Sequence, residues 1–394
     1  DFSYIFPYVT EYASAADYAV ANLETTLAGT AKPYQGNPMF NCPDAIVDAA
    51  KNAGFDMLLT VNNHSYDSQQ AGYERTIRTV REKGLVNLGT MLSGDEPKFT
   101  VQEINGIKIG MTAFTYEDSA IGNKTPALNY NPMQAGGYDI INCFRHADPE
   151  PFYAQLENQI AQMRQQGAEA IVLYIHWGQE YKLQPNASQQ AMAQRICDLG
   201  VDVIIGGHPH VLQPYGRLSD DQGNSTFIFY SLGNFVSTQQ ELPELLEGMA
   251  SFTIQKTTLN GQSTIEILSP EVKPMVMHYN HDTGDYGPYM LDDYTEDLAS
   301  QHSVRNLIGD EFTLANLKAK FQEIMSMNVT PSNNTNLLNV KFDWEGNMID
   351  KTTGETVEDG SSGSDSSGDD SSDSSYDDES YDTSYDDGSY DSSY

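Results

Sequence analysis

Five short segments of the chain concentrate side chains that can bind metal ions, and four of its eight histidines fall within them. Zinc, manganese and iron ions accept imidazole nitrogen together with carboxylate or amide oxygen. Two such ions about 4 Å apart can hold both the attacking and the leaving oxygen of a hydrolysis. The residue types therefore predict a metal-dependent hydrolytic site. The segments are Asn22-Leu23-Glu24, Asn62-Asn63-His64, His176-Trp177-Gly178, Gly207-His208-Pro209-His210 and Ser231-Leu232-Gly233-Asn234-Phe235.

Each of the first four segments follows a predicted β-strand, at residues 18–21, 57–61, 170–175 and 201–205. Helices are predicted between these strands at residues 43–53, 68–83, 150–166 and 188–199. A glycine directly after each of the first two helices is a stop signal. Strand–helix alternation is typical of an α/β fold. Because open α/β sheets bind ligands at the carboxyl ends of their strands, we expect the candidate side chains to share one edge.

The rest of the pattern predicts a layered fold. Strands are expected at 98–104 and 108–114 around an Asn105-Gly106 turn, and residues 116–148 are expected to cross the active face as an irregular excursion. A second sheet beside the first is predicted from residues 227–230, 249–258, 263–268 and 271–277. The fold class is therefore α/β, a layered sandwich of two mixed β-sheets flanked by helices. We expect a site-bearing domain at 1–278, an extension of unknown role at 279–354 with a helix at 314–325, and a tail at 355–394.

Charge and composition exclude several classes of function. The tail at 355–394 has 14 acidic residues and no Lys or Arg, so it is predicted to be disordered. Without it the net charge of −35 falls to about −21, and such a chain repels nucleic acid. No apolar stretch of about 18 residues is present to span a membrane. The three cysteines form no CxxC pair; Cys197 is expected to be a buried thiol, and a Cys42–Cys143 bridge stays open.

Each segment also has a plainer interpretation when it is taken alone. The two histidines of Gly207-His208-Pro209-His210 could be ordinary loop residues, and His176 could be a core histidine at a strand end. Asn63-His64 could mark a turn, and Glu24 could be a carboxylate at a helix start. Their joint placement after successive strands favours the metal site over these readings.

The order of the segments resembles the CapA family, the bacterial capsule or poly-γ-glutamate synthesis proteins, whose fold is similar to the calcineurin-like metallophosphatases. The resemblance covers residues 2–277. It is carried by Asn22-Leu23-Glu24, by Asn62-Asn63-His64, by His176-Trp177-Gly178 with the following Glu180-Tyr181, by the run GHPHVLQP from Gly207, and by the run YSLGNF from Tyr230.

The resemblance implies a role for each candidate residue. Glu24 is expected to bridge two divalent ions of manganese, zinc or iron. Asn63, His176 and His208 are expected at one ion and His210 at the other. The resemblance further implies that His64, oriented by Asp67, acts as general acid or charge stabiliser. The residues expected to support these ligands or to contact substrate are Asn22, Trp177, Glu180, Ser231 and Asn234.

The family pattern begins with a strand that ends in a Gly-Asp pair, whose aspartate binds the first ion. The first strand of that pattern is missing from the given sequence, so we expect it, with an export anchor, upstream of Asp1 in the full protein. If the natural protein has no such strand, the site is expected to be mononuclear or empty.

Two functions follow from the resemblance. The first is a metal-dependent hydrolase acting on a phosphoester or a γ-glutamyl amide. The second is a non-catalytic component of a capsule assembly that binds an anionic polymer and contacts the membrane subunits of a capsule synthase. Both predict an extracellular location at the cell surface. Because the body is acidic, an anionic polymer can approach only if bound cations reverse the local charge.

Overall fold

The structure is a computed structural model, and it describes residues 1–328, 340–342, 348–350 and 356. The tail predicted to be disordered therefore lies outside the described residues, apart from Thr356. The described strands are β1 Val20–Asn22, β2 Met57–Leu59, β3 Val86–Leu88, β4 Thr100–Ile104, β5 Ile107–Tyr116, β6 Ala127–Leu128, β7 Asn131–Pro132, β8 Cys143–Phe144, β9 Ala170–His176, β10 Val203–Gly207, β11 Tyr215–Ser219, β12 Ser225–Phe229, β13 Leu246–Leu259, β14 Gln262–Asn280, β15 Asp285–Met290, β16 Val340–Phe342 and β17 Met348–Asp350.

The helices follow the apolar periodicity of the sequence, and the predicted ones are present within two residues of their expected bounds. The α2 helix stops at Gly54 and α3 stops at Gly84, both with positive φ. The α6 helix begins with a capping box between Asn186 and Gln189. The described helices are α1 Thr10–Ala15, α2 Ala45–Asn52, α3 Gln69–Glu82, α4 Gly137–Ile140, α5 Glu150–Gln165, α6 Ala187–Asp198, α7 Glu296–Gln301, α8 Arg305–Ile308 and α9 Leu314–Met325.

A seven-stranded mixed sheet forms the centre of the fold, in the order β11-β12-β10-β9-β5-β4 with β8 paired to β5. The central strands β5, β9, β10 and β12 run parallel. Both faces of β9 are buried, which is why its sequence is a continuous apolar run. Ile171, Leu173 and Ile175 pack under α5 and α6, whereas Val172 and Tyr174 face the opposite layer.

A second sheet lies on that opposite side. It contains only β1, β2 and β3, which are all parallel. One core cluster joins the two sheets, since it includes Met57 of β2 together with Val172 of β9 and Val203 of β10. The outer face of the small sheet packs through Leu58 against α2. The α/β class with layered sheets flanked by helices is therefore confirmed.

The division of strands between sheets differs from the expectation. The strands predicted at 18–21 and 57–61 do not join the main sheet; they form the small one together with 86–88, a strand that the sequence did not predict. Residues 227–230 were expected in a second sheet, but β12 pairs parallel to β10 in the main sheet. The reason is burial on both faces: Ile228 packs under α6 and Phe229 faces the inner layer.

A third sheet has the order β13-β14-β15, and two small sheets pair β6 with β7 and β16 with β17. The strands expected at 263–268 and 271–277 are one long strand, β14, with a register shift opposite Ser251. The domain boundary predicted at 278 falls inside β14, which continues to Asn280 and pairs with β15. The predicted helix Leu314–Met325 is present, and its Leu317 packs in the same core as Val276.

Candidate metal centre

Glu24 stands at the centre of a cluster formed by the predicted ligands. It follows β1, and the Asn22 amide donates a hydrogen bond to its Oε2 at 2.8 Å. Glu24 Oε1 lies 3.4 Å from His176 Nε2 and 3.9 Å from His210 Nε2. Burial raises the pKa of Glu24, but the positive charge of the neighbouring imidazoles, that of His176 above all, outweighs it, so the pKa lies well below its usual range. The carboxylate is therefore ionised.

His176 and Asn63 approach the cluster from two different sheets. His176 is the last residue of β9, and its Nε2 lies 2.9 Å from Asn63 Oδ1. Asn63 follows β2 in a loop that Asn62 ties to β1, because the Asn62 amide donates to Asn22 Oδ1 and to the Leu23 carbonyl. The carboxyl ends of β1, β2 and β9 therefore meet at one place, as the sequence predicts.

The loop after β10 brings His208 and His210 to the same place. Both have positive φ, 99° and 58°, a backbone conformation that residues other than glycine rarely adopt. The preceding Gly206 has no room for a Cβ, which would overlap the Tyr230 carbonyl oxygen and the Trp177 ring. The strained backbone turns both imidazoles inward. Burial lowers the pKa of His208 well below its usual value, so its ring is neutral, the form that binds metal.

Asn234 and Ser231, in the segment that follows β12, hold this loop. The Asn234 Oδ1 lies 2.9 Å from His210 Nδ1, and its amide donates to the His210 carbonyl. Because an amide oxygen only accepts, His210 donates from Nδ1 and directs its Nε2 lone pair at Glu24. Ser231 donates to the Val211 carbonyl at 2.8 Å. Asn234 thus orients the candidate ligand His210, whereas Ser231 holds its loop.

Trp177 and Glu180, both predicted to support the site, have different roles. Trp177 is fully buried, donates from Nε1 to the Tyr230 carbonyl, and fixes the strand behind His176. Glu180 lies nearer to the centre than expected: its Oε1 is 4.0 Å from His210 Nε2. Its carboxylate forms a second group with His208 and His210 whose donor atoms all lie within 4.8 Å of one another.

His64 and Asp67 form a pair beside this cluster. His64 Nδ1 lies 2.7 Å from Asp67 Oδ2, which also accepts a hydrogen bond from the Phe40 backbone N–H. The Asn129 amide donates to Asp67 Oδ1 at 3.1 Å. A carboxylate that receives these donors fixes the hydrogen of His64 on Nδ1 and leaves Nε2 free. His64 lines the same cavity, of about 1860 Å³, as Glu24 and His176.

Some residues near the centre are absent from the sequence prediction. The Tyr116 ring lies 4.7 Å from the His208 ring and is nearly parallel to that of His176. Tyr116 is the last residue of β5, the neighbour of β9. The predicted strand stops at 114; a strand predicted to 116 would have placed Tyr116 at a carboxyl end and made it a candidate. The His146 ring lies 5.8 Å from Tyr116, and no motif marks it in the sequence.

The donor set fits a divalent metal ion. Glu24, His176 and His208 offer donor atoms within 4.8 Å of one another. Glu24 Oε1 and His208 Nδ1 are buried and have no hydrogen-bond partner among the described residues. A buried polar atom without a partner costs roughly 1–3 kcal/mol, so both atoms are arranged for a ligand. Imidazole with carboxylate is the donor chemistry of zinc, manganese and iron sites.

The fold and the site define an α/β sandwich that gathers candidate metal-binding side chains at the carboxyl ends of its strands. The chain belongs to the bacterial capsule synthesis protein family PGA_cap, whose model matches residues 1–239. The resemblance to the CapA family is confirmed. The chain is 32% identical over 247 residues to the capsule biosynthesis protein CapA of Bacillus anthracis, and 31% identical over 267 residues to the PGA biosynthesis protein CapA of Bacillus subtilis.

The matches cover 60% and 67% of this chain, and the chain spans 54% and 63% of those two relatives. Among solved structures, the sulfate thiohydrolase SoxB of Thermus thermophilus aligns with a TM-score of 0.36 and 14% identity, over 71% of this chain and 39% of that one. Within the described residues, every helix is too short or too polar to cross a membrane.

Proposed function

We propose that the chain is a CapA-type capsule or poly-γ-glutamate synthesis protein that carries a metal-dependent hydrolase site. One observation carries the proposal: Glu24 and His208, brought together from different sheets, each bury a possible metal-binding atom that has no hydrogen-bond partner among the described residues. Two divalent ions of manganese, zinc or iron fit the two groups of donors. Glu24, His176 and His208, with Asn63 beside them, would hold one ion, and His210 with Glu180 would hold the other.

Bound ions of this kind polarise a substrate oxygen and acidify water. The residues of the chain supply the proton transfer. Protonated on both ring nitrogens, His64 would give its Nε2 proton to the leaving oxygen or nitrogen of a phosphoester or γ-glutamyl amide. Asp67 accepts the Nδ1–H and would stabilise that imidazolium, and Asn234 keeps His210 turned toward Glu24. These contacts support a preorganised hydrolytic site.

The proposed substrate is an anionic polymer or a phosphoester at the cell surface, with membrane subunits of a capsule synthase as partners. The names of the relatives support a polymer-related role. Among the described residues that line the cavity, Lys273 alone is a lysine or arginine. An anionic substrate would therefore be attracted chiefly by the bound cations.

The second candidate function is a non-catalytic, polymer-binding component of the capsule assembly. The names of the relatives favour it, since both describe biosynthesis and neither describes hydrolysis. In that case the ions would bind carboxylates of the polymer without breaking a bond.

Hydrolysis assays separate the two functions. The metal-loaded protein is given bis(p-nitrophenyl) phosphate and, separately, γ-glutamyl-p-nitroanilide. We expect turnover by the wild type and a loss of at least about 100-fold in His208→Ala and in His210→Ala. His281→Ala is the matched control, because His281 is exposed and outside the cluster. An inert wild type that still binds polymer would favour the second function, and equal turnover by all four proteins would refute the site.

A further inference from the structure

The turn between β6 and β7 is unusual for this chain. The structure has two-residue hairpin turns at Asn105-Gly106, with φ of 49° and 81°, and at Asn260-Gly261, with φ of 53° and 80°. The β6–β7 turn has the same left-handed backbone, with φ of 47° at Asn129 and 58° at Tyr130. Glycine is favoured at the second position of such a turn, and a bulky side chain there is strained. The third turn thus has a tyrosine where the other two have glycine.

Packing does not account for this tyrosine. The Tyr130 side chain is 79% exposed, more than the other large exposed hydrophobic residues of the described chain. Tyr130 contributes little free energy of folding through burial, and its backbone conformation costs free energy. Neither local backbone preference nor core packing therefore explains a tyrosine at this position. Large strained residues without a core contact concentrate at functional sites.

The turn is attached to the loop that carries His64. The Asn129 amide donates to Asp67 Oδ1 at 3.1 Å and to the Pro38 carbonyl at 2.9 Å. The Tyr130 backbone N–H donates to Asp118 at 3.1 Å. Asn131 donates to the Asn129 carbonyl, and Gln69 donates to Asn131. These bonds fix the backbone of the turn, so that Tyr130 directly follows the residue that holds Asp67 beside His64.

We propose that Tyr130 is a specificity-determining residue that contacts a part of the substrate away from the bond to be broken, and that Asn129 is a positioning residue for Asp67 and His64. This inference rests on the proposed hydrolase function. A tyrosine ring offers an apolar face and one hydroxyl, which suits a chain of methylene and amide groups. The inferred substrate therefore extends beyond the reacting unit, because Tyr130 is not among the residues that line the cavity of Glu24 and His176.

Steady-state kinetics of the metal-loaded protein test both roles. The probes are γ-glutamyl-p-nitroanilide and the same anilide carrying an oligo-γ-glutamyl chain. For Tyr130→Gly we expect KM of the long probe to rise about fivefold with kcat within about twofold, and Tyr130→Phe to restore most of the affinity. Relief of the strained turn should raise the melting temperature of Tyr130→Gly by about 2 °C.

Asn129→Gly keeps the left-handed turn and removes only the amide. We expect kcat to fall about tenfold on both probes while KM stays within about twofold, because the His64–Asp67 pair loses its clamp. Asn260→Gly changes the first residue of the remote Asn-Gly turn and should leave both constants unchanged.

The outcomes separate this inference from the proposed function. A wild type inert on both anilides overturns γ-glutamyl hydrolysis as the proposed function and this inference with it. An active wild type whose KM on the long probe is unaltered in Tyr130→Gly overturns the role of Tyr130 alone. If Asn129→Gly lowers the melting temperature and raises KM together, Asn129 is a structural residue and its positioning role is wrong.

Discussion

The acid sensitivity of the fold should depend on His302, which lies far from the candidate metal ligands in sequence. The His302 side chain is 2% exposed; its Nε2 donates to the Met277 carbonyl at 3.0 Å, and its Nδ1 accepts from the Val304 N–H at 2.9 Å. Burial lowers the pKa of His302 from 6.5 to about 4, although the bond to Met277 opposes the change. Both ring nitrogens are occupied, so the neutral ring is built into the core.

The sign follows from proton binding. Between pH 6.5 and about 4 the unfolded chain binds a proton at His302 and the folded chain does not, so the free energy of unfolding falls as pH falls through this window. At 1.36 kcal/mol per pH unit, the full loss is roughly 3 kcal/mol, of which roughly 2 kcal/mol has occurred by pH 5. The pKa of the neighbouring His278 is also lowered by burial and adds a loss in the same direction.

Urea unfolding of the wild type and of His302→Gln, at pH 7.5 and pH 5, measures this contribution. The variant should be less stable at pH 7.5 by about 1–2 kcal/mol because hydrogen bonds and packing are lost. It should then lose roughly 2 kcal/mol less than the wild type on acidification. The exposed His281→Gln variant should follow the wild type. Equal acid losses in the wild type and His302→Gln would refute the reasoning.

Three further variants test other parts of the structure. Glu247 is fully buried, and neither of its carboxyl oxygens has a hydrogen-bond partner among the described residues. Burial raises its pKa, so Glu247 lowers the free energy of unfolding as pH rises above the pKa that it has in the unfolded chain. Glu247→Leu should raise the free energy of unfolding at pH 7 by about 1–3 kcal/mol in urea titrations, and a loss would contradict this. Asn234→Ala should weaken divalent metal binding about 10–100-fold in chelator competition, because His210 loses its orienting bond; unchanged affinity would refute that role. Gly206→Ala should destabilise the fold by about 3 kcal/mol in thermal unfolding, because the new methyl group overlaps the Tyr230 carbonyl, and a neutral effect would show that the strand can move.

The location of the site could be predicted from the sequence because strand ends are marked by strong local signals. The apolar run at 170–175 ends abruptly at His176, and the run at 201–205 ends at Gly206. In a parallel sheet such ends lie at one edge, and the structure places His176 directly opposite Gly207. Family resemblance added the assignment of roles.

The parts that could not be predicted depend on contacts between distant segments. Both sheets use apolar strands of similar composition, so nothing local distinguishes β1 to β3 from the main sheet. Glu180 reaches His210 only because the loop after β9 turns back, with Tyr181 in a left-handed conformation. Asn129 lies 62 residues from Asp67, its partner, in an irregular segment whose path no periodicity fixes.

Divalent metal binding tests the central claim most directly. Metal-free protein is titrated with Mn²⁺ and with Zn²⁺ in a calorimeter, beside His208→Ala and His281→Ala. The account predicts saturable binding by the wild type and by His281→Ala, with affinity reduced by at least about tenfold in His208→Ala. Absence of binding by the wild type, or equal affinity in all three proteins, would contradict it.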